Sequence, residues 1–372
     1  MRNKLLLAAS IALTILCWGM YGPVLRMGQD GMSTVAGEVA RLRPFVCVGL
    51  AYFLIGVIVP SVWLYLKGEK GDWTLTGIVW SLAGGALGAI GALGIVLAFT
   101  FGGAPLYVMP LVFGGAPVIN AFLTIYMTRR MKEIGPLFMA GLMMVILGAV
   151  TVLVTAQHAP ASAPDVSASA PATARAATAT PSPAPALARG VVASVESSIW
   201  KWISQLLAIA LTIVSWGAYG PVLHKGQAAM HHSRLRPLLC VGLAYFAIAV
   251  VVPYFFLGEM GENSRYFGWQ HFFNGTIWSL LGGTCGAVGA LGIILAFNYG
   301  GRPVYVMPLV FGGAPVITTL WSGHVGAWFL AGLILVIAGS AMVLVLAPRG
   351  DKIIEVPVEV PVKVKEEPTK AE

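Results

Sequence analysis

Along the chain, apolar runs of membrane-crossing length alternate with short polar breaks. The hydrocarbon core of a bilayer takes about 20 apolar residues per helix. Five such runs precede residue 158: Leu5–Leu25, Pro44–Leu66, Leu75–Phe101, Pro105–Met127 and Ile134–Val154. Five more follow residue 198: Ile203–Leu223, Pro237–Leu257, Gly275–Tyr299, Pro303–Ser322 and Val325–Leu346. The pattern predicts an all-α membrane protein with ten transmembrane helices. The ninth run is the least distinct, because the second half has no counterpart of the stretch from Met127 to Glu133. The N-terminal run follows Arg2 and Lys4 as a signal peptide would. It returns inside the chain, however, and is expected to be a retained first helix.

The two sets of five are copies. Trp18-Gly19-Met20-Tyr21-Gly22-Pro23-Val24-Leu25 returns as Trp216-Gly217-Ala218-Tyr219-Gly220-Pro221-Val222-Leu223. Arg41-Leu42-Arg43-Pro44 returns as Arg234-Leu235-Arg236-Pro237, and Tyr107 to Ile119 returns unchanged as Tyr305 to Ile317. Self-similarity of this extent divides the chain. Residues 1–157 form a first five-helix repeat and 199–347 a second. Between them, 158–198 is rich in Ala, Pro and Ser and reads as a flexible linker. Residues 348–372 read as a charged, disordered cytoplasmic tail.

Five is odd, so two copies joined by a linker that does not span must lie inverted. Charge supports this. With the N-terminus inside, inner segments hold 16 of the 23 basic residues. Arg129-Arg130-Met131-Lys132, expected inside, is missing from the second copy, where its loop would be outside. Gly103-Ala104-Pro105, expected outside, becomes Gly301-Arg302-Pro303 inside. Both differences follow the positive-inside rule. The expected location is a plasma membrane of the bacterial inner-membrane kind. Both termini would be cytoplasmic and the linker outside.

Composition excludes an ordinary soluble enzyme. The chain is 58% hydrophobic and 10% charged, with mean hydropathy +0.82; soluble proteins are about 25% charged. The net charge of +8 comes from basic residues scattered between apolar runs, so no nucleic acid is expected as a partner. Cys17, Cys47, Cys240 and Cys285 all lie inside apolar runs, which argues against a disulfide framework. His231-His232 is an isolated pair. No cofactor and no metal are expected. No nucleophile–base pair marks a catalytic residue, and the chain is not expected to be an enzyme.

Candidate solute-binding residues come from the repeated motifs. Pro110 and Pro117 interrupt the fourth run, and Pro308 and Pro315 the ninth. Each proline removes a backbone donor and frees a carbonyl one turn back. Such carbonyls either coordinate a solute at the interface of inverted repeats or mark a packing kink. Trp18, Tyr21, Trp216 and Tyr219 supply aromatic faces. Tyr107 and Tyr305 open the fourth and ninth runs, Thr100 and Asn298 end the third and eighth, and Asn120 and Thr318 follow the double-proline motif. Aromatic faces with a few polar groups suit a small polar solute such as a sugar or an amino acid. The same aromatics suit an interfacial belt. Glycines 84, 85, 88, 91 and 94, with 282, 283, 286, 289 and 292, have the spacing of close helix packing. No acidic or basic residue lies well inside any run, which argues against coupling through a buried carboxylate. The Arg-Leu-Arg-Pro pairs fit either attraction of anions at each mouth or an ordinary membrane anchor.

The Trp-Gly-x-Tyr-Gly-Pro segment resembles the opening of EamA-type members of the drug/metabolite transporter (DMT) superfamily. So does the passage from the Pro-containing fourth run to Glu133, Gly141 and Gly148. Gly77-Ile78-Val79-Trp80 and Gly275-Thr276-Ile277-Trp278 are similar to the glucose/ribose porter branch. The linker is longer than that pattern, Glu133 has no second copy, and the halves are unusually alike. The resemblance implies export or uptake of a small metabolite by alternating access. The expected partners are a small-molecule substrate, the lipid bilayer and a homodimer mate. The alternative is a membrane scaffold or sensor that transports nothing, acting through linker and tail.

Overall fold

The computed structural model describes residues 2–33, 40–127, 129, 135–157, 184–256, 272–322 and 326–346. These are helices and short connections, with no strand among the described residues. In the first half, α1 is Arg2–Gly31. Helix α2 runs from Leu42–Phe53 through a π-helical turn, Leu54–Ile58, into Val59–Lys67. Then come α3 (Leu75–Thr100), α4 (Pro105–Met127) and α5 (Pro136–Gln157). In the second half, α6 is Ala184–Ala229, and α7 runs from Leu235–Phe246 through a π-helical turn, Ala247–Val251, into Val252–Phe256. Helix α8 opens with the π-helical turn Phe272–Thr276 and continues as Ile277–Asn298; α9 (Pro303–Ser322) and α10 (Ala327–Leu346) follow.

Seven of these helices are long and apolar enough to cross a membrane: α1, α2, α3, α4, α6 from Ser198, α7 and α8. In α5, α9 and α10 the apolar stretches whose side chains are described are Pro136–Gly148, Leu309–Trp321 and Ala327–Gly339. Large apolar side chains such as Leu54, Trp63, Leu207, Phe255 and Ile334 cover the outside of the bundle. A bilayer would satisfy that surface; water would not.

Two helices exceed their expected spans by more than a turn. α6 begins at Ala184, inside the segment expected as linker. Ala and Leu are strong helix formers, and Pro185 sits in the first turn, where its missing N–H is not needed. The remainder of that segment, 158–183, and the tail lie outside the described residues. α1 continues past Leu25 to Gly31 because Arg26 is engaged there. Its guanidinium pairs with Asp30 at 3.0 Å and donates to the carbonyls of Phe99 and Gly103, both at 3.2 Å, capping the end of α3.

The helices are apolar nearly all round, so hydrophobicity does not choose their buried faces. Glycine does. In α3, Gly84, Gly85, Gly88, Gly91 and Gly94 are all buried. They face Leu223, Val241, Tyr245, Trp216 and Thr212 of α6 and α7. In α8, Gly282, Gly283, Gly286, Gly289 and Gly292 face Leu25, Val48, Tyr52, Trp18 and Thr14 of α1 and α2. The first helix of each half thus packs on the third helix of the other. α1 lies on α8 and α9, α6 on α3 and α4, α2 meets α7, α4 meets α9, and α5 meets α10. One hydrophobic core draws on both halves.

One end of the bundle is fastened between the halves. The Glu69 carboxylate accepts from Ser233 Oγ (2.6 Å) and from the backbone N–H of Arg234 (2.9 Å) and Leu235 (3.1 Å). An acidic group at these exposed donors of the α7 N-terminus is favourable. Arg236 lies 3.8 Å from the same carboxylate and also donates to the carbonyls of Glu69 and Lys70. This arginine is therefore engaged internally and is not a free charge at a mouth. Arg43, expected in a polar connection, is 2% exposed.

The glycine seats predict opposite outcomes for two substitutions. A Cβ at Gly283 would stand 2.7 Å from the Val48 Cα, and backbone cannot step aside; at Gly312 it would meet nothing within 4 Å among the described residues. Gly283→Val is expected to destabilise by about 1–3 kcal/mol or more. Gly312→Ala should be neutral. Apparent melting temperatures of the purified protein in detergent check both.

Candidate functional site

The two halves meet at an aromatic cluster in the middle of the core. Trp18 and Trp216 stack with centroids 5.9 Å apart and planes at 22°. Tyr21 meets Trp216 edge-on at 5.9 Å, and Tyr219 tilts against Trp18 at 6.1 Å. Phe311 stacks on Trp18 (5.9 Å), Phe113 on Trp216 (5.8 Å), and the two Phe rings touch at 5.9 Å. Tyr52 and Tyr245 lie face to face at 3.5 Å with planes 3° apart. Each contact pairs one half with the other or has a twin at the equivalent position.

Backbone groups hold the tryptophans in place. Trp18 Nε1 donates to the Gly286 carbonyl and Trp216 Nε1 to that of Gly88, both at 3.2 Å. One turn earlier, Thr14 Oγ1 donates to the Gly289 carbonyl (3.2 Å) and Thr212 Oγ1 to that of Gly91 (3.0 Å). Buried Tyr and Trp polar tips usually find partners. Here the two indoles do. The hydroxyls of Tyr21 and Tyr219, each on a side chain 3% exposed, have no hydrogen-bond partner among the described residues.

Between these groups lies a cavity of about 20 Å³, walled by Trp18, Tyr21, Tyr52, Trp216, Tyr219, Tyr245 and the backbone of Gly88 and Gly286. A cavity of roughly 10–15 Å³ or more admits one water. The space between these side chains is therefore water-sized. Its walls carry no charge. Among the described residues, no group of three or more His, Cys, Asp or Glu is placed to hold a metal ion.

The expected site residues separate into two groups. Trp18, Tyr21, Trp216 and Tyr219 line the cavity. The others that are described do not. Pro110, Pro117 and Pro315 are buried within α4 and α9. Thr100 Oγ1 returns to the Val96 carbonyl at 2.8 Å, and Asn298 Nδ2 donates to the His232 carbonyl at 2.7 Å. Tyr107 Oη receives Gln205 Nε2 at 2.8 Å and donates to the Gly102 carbonyl at 3.3 Å. The side chains of Tyr305 and Pro308 lie outside the described residues.

Asn120 and Thr318 have a packing role with a clear cause. Pro23 lacks the N–H that would bond the Gly19 carbonyl, and Pro221 the one for the Gly217 carbonyl. Thr318 Oγ1 donates to the Gly19 carbonyl at 2.7 Å, and Asn120 Nδ2 to that of Gly217 at 3.3 Å. The freed carbonyls that matter are thus in α1 and α6, and side chains of α9 and α4 cover them. Tyr52 and Tyr245 were not among the expected residues. Their signal was the verbatim repeat of Cys47 to Phe53 as Cys240 to Phe246. In both copies a π-helical turn begins two residues after the tyrosine, a distortion found often at functional sites.

No family model and no curated protein matches the chain. Among solved structures, one described only as "Crystal structure of protein" aligns with a TM-score of 0.53 at 17% identity. The alignment covers 92% of this chain and 97% of that one, so the two share a fold over nearly their whole lengths.

The proline–hydroxyl pairing is testable by a double-mutant cycle. Thr318→Val removes the donor to Gly19 and is expected to cost about 1–3 kcal/mol. In a Pro23→Ala background the helix supplies its own N–H, and the same change should cost markedly less. Thermal denaturation of the four proteins measures the coupling.

Proposed function

We propose that the protein is a plasma-membrane transporter that moves a small polar solute by alternating access between two inverted five-helix repeats. The observation that carries this reading is the position of the central cavity. It lies at the junction of the halves, walled by equivalent residues from each, as expected of a solute site between inverted repeats. A site shared in this way opens to one side or the other as the halves rock. The Glu69 cluster ties the connection between α2 and α3 to that between α6 and α7, and in this reading it closes one mouth. The Trp-Gly segments that resemble EamA-type transporters contribute two of the cavity walls, Trp18 and Trp216. Ten spans, cytoplasmic termini and an outside linker complete the proposal. The odd helix number and the charge differences between equivalent loops support them.

Two experiments test it. Purified protein in proteoliposomes should carry at least one solute from a panel of sugars, amino acids, nucleosides and cationic drugs. Flux should fall at least tenfold in the Trp18→Ala, Trp216→Ala protein while monodispersity is kept. Absence of flux across the panel would overturn the reading. For topology, a single cysteine replacing Ala170, in a background without the four native cysteines, should react with a membrane-impermeant thiol reagent in intact cells. Reaction only after lysis would remove the inverted arrangement.

A further inference from the structure

We infer that the central cavity is a seat for a small organic ammonium ion, a substrate class that rests on the transport reading above. Six aromatic side chains wall the cavity: Trp18, Tyr21, Tyr52, Trp216, Tyr219 and Tyr245. Aromatic faces carry negative potential and attract a cation within about 6 Å of the ring centroid, most strongly where water is excluded. As the structure stands the rings stack across the two halves, Trp18 on Trp216 at 5.9 Å and Tyr52 on Tyr245 at 3.5 Å, so their facing surfaces become available to a cation as the halves separate. No lysine or arginine lines the cavity to repel it.

The tyrosine hydroxyls point to the same class. Tyr21 and Tyr219 are each 3% exposed, and their oxygens have no partner among the described residues. A buried unpaired hydroxyl is costly. As oxygen acceptors, the two can receive N–H groups, or the polarised C–H groups of a methylated ammonium. An anion would meet six electron-rich rings with no cation to balance it. The indole N–H groups offer it nothing, since both already donate to glycine carbonyls. A neutral solute gains the stacking but not the charge attraction. A methylated ammonium ion also has the lowest hydration to lose, because its charge is spread over its carbon groups. In the closed arrangement the cavity of about 20 Å³ holds only a water-sized group. The walls belong to α1, α2, α3, α6, α7 and α8, helices of both halves, so the space enlarges when the halves separate.

The test uses choline and its uncharged carbon isostere, 3,3-dimethylbutan-1-ol. Binding of radiolabelled choline to the purified full chain is measured by scintillation proximity, with tetramethylammonium and the isostere as competitors. Choline should bind saturably and tetramethylammonium should displace it. The isostere should compete about tenfold more weakly or worse. Tyr52→Leu with Tyr245→Leu should weaken binding at least severalfold. Should that pair fail to fold, Trp18→Phe with Trp216→Phe keeps a ring at each position and should give a smaller loss. Equal competition by the isostere, or no saturable choline binding by monodisperse protein, overturns the inference. Flux assays separate it from the transport reading. Choline binding without any flux removes transport and leaves the cation seat. Flux of a neutral solute without choline binding does the reverse.

Discussion

The structure depends on close approach between backbones where glycine leaves out a side chain. Lipid tails are as apolar as leucine, so helices in a bilayer gain little by hiding apolar groups from one another. They associate through contact and through hydrogen bonds that lipid cannot offer. The glycines of α3 and α8 supply both. A missing Cβ lets a neighbouring helix settle against the backbone, and the carbonyls thereby exposed accept from Trp18, Trp216, Thr14 and Thr212. A larger residue at Gly88 or Gly286 would strike a tyrosine ring and close the cavity from the side.

Because those seats receive helices from the opposite half, the halves interlock. The first helix of each half packs chiefly on the third helix of the other, so each completes the other. The aromatic cluster follows from this exchange. Trp18 and Trp216 come from helices that have crossed over, and Tyr52 and Tyr245 from the helices beside them. The central cavity therefore has walls in pairs and no charged group. Charge is concentrated at the ends instead, where Arg26 caps α3 and Glu69 receives the start of α7.

Prolines and hydroxyls are matched in the same way. A proline inside a buried helix leaves a carbonyl that nothing in its own helix can satisfy, and lipid offers no donor. Thr318 and Asn120 reach from the opposite half to cover the carbonyls above Pro23 and Pro221. Asn120 and Thr318, which look like solute ligands in the sequence, thus hydrogen-bond to helix carbonyls of the opposite half. The hydroxyls of Tyr21 and Tyr219, by contrast, have no partner among the described residues, and their side chains line the cavity.

The sequence alone determined that the chain is helical and apolar enough for a bilayer, that its motifs recur in both halves, and that Trp18 and Tyr21 return as Trp216 and Tyr219. Helix-length apolar runs, copied motifs and the placement of Gly and Pro are local properties, and they survive in one dimension. Tertiary structure decided which helix sits on which glycine seat. Spacing shows that a glycine face exists but not whose helix fills it. Tertiary structure also brought Tyr52 and Tyr245 face to face, gave Asn120 and Thr318 to the carbonyls of Gly217 and Gly19, and turned Arg43 and Arg236 away from free charge at the mouths. These choices depend on contacts between residues far apart in the chain. In helices apolar on every side, no hydrophobic stripe announces such contacts beforehand.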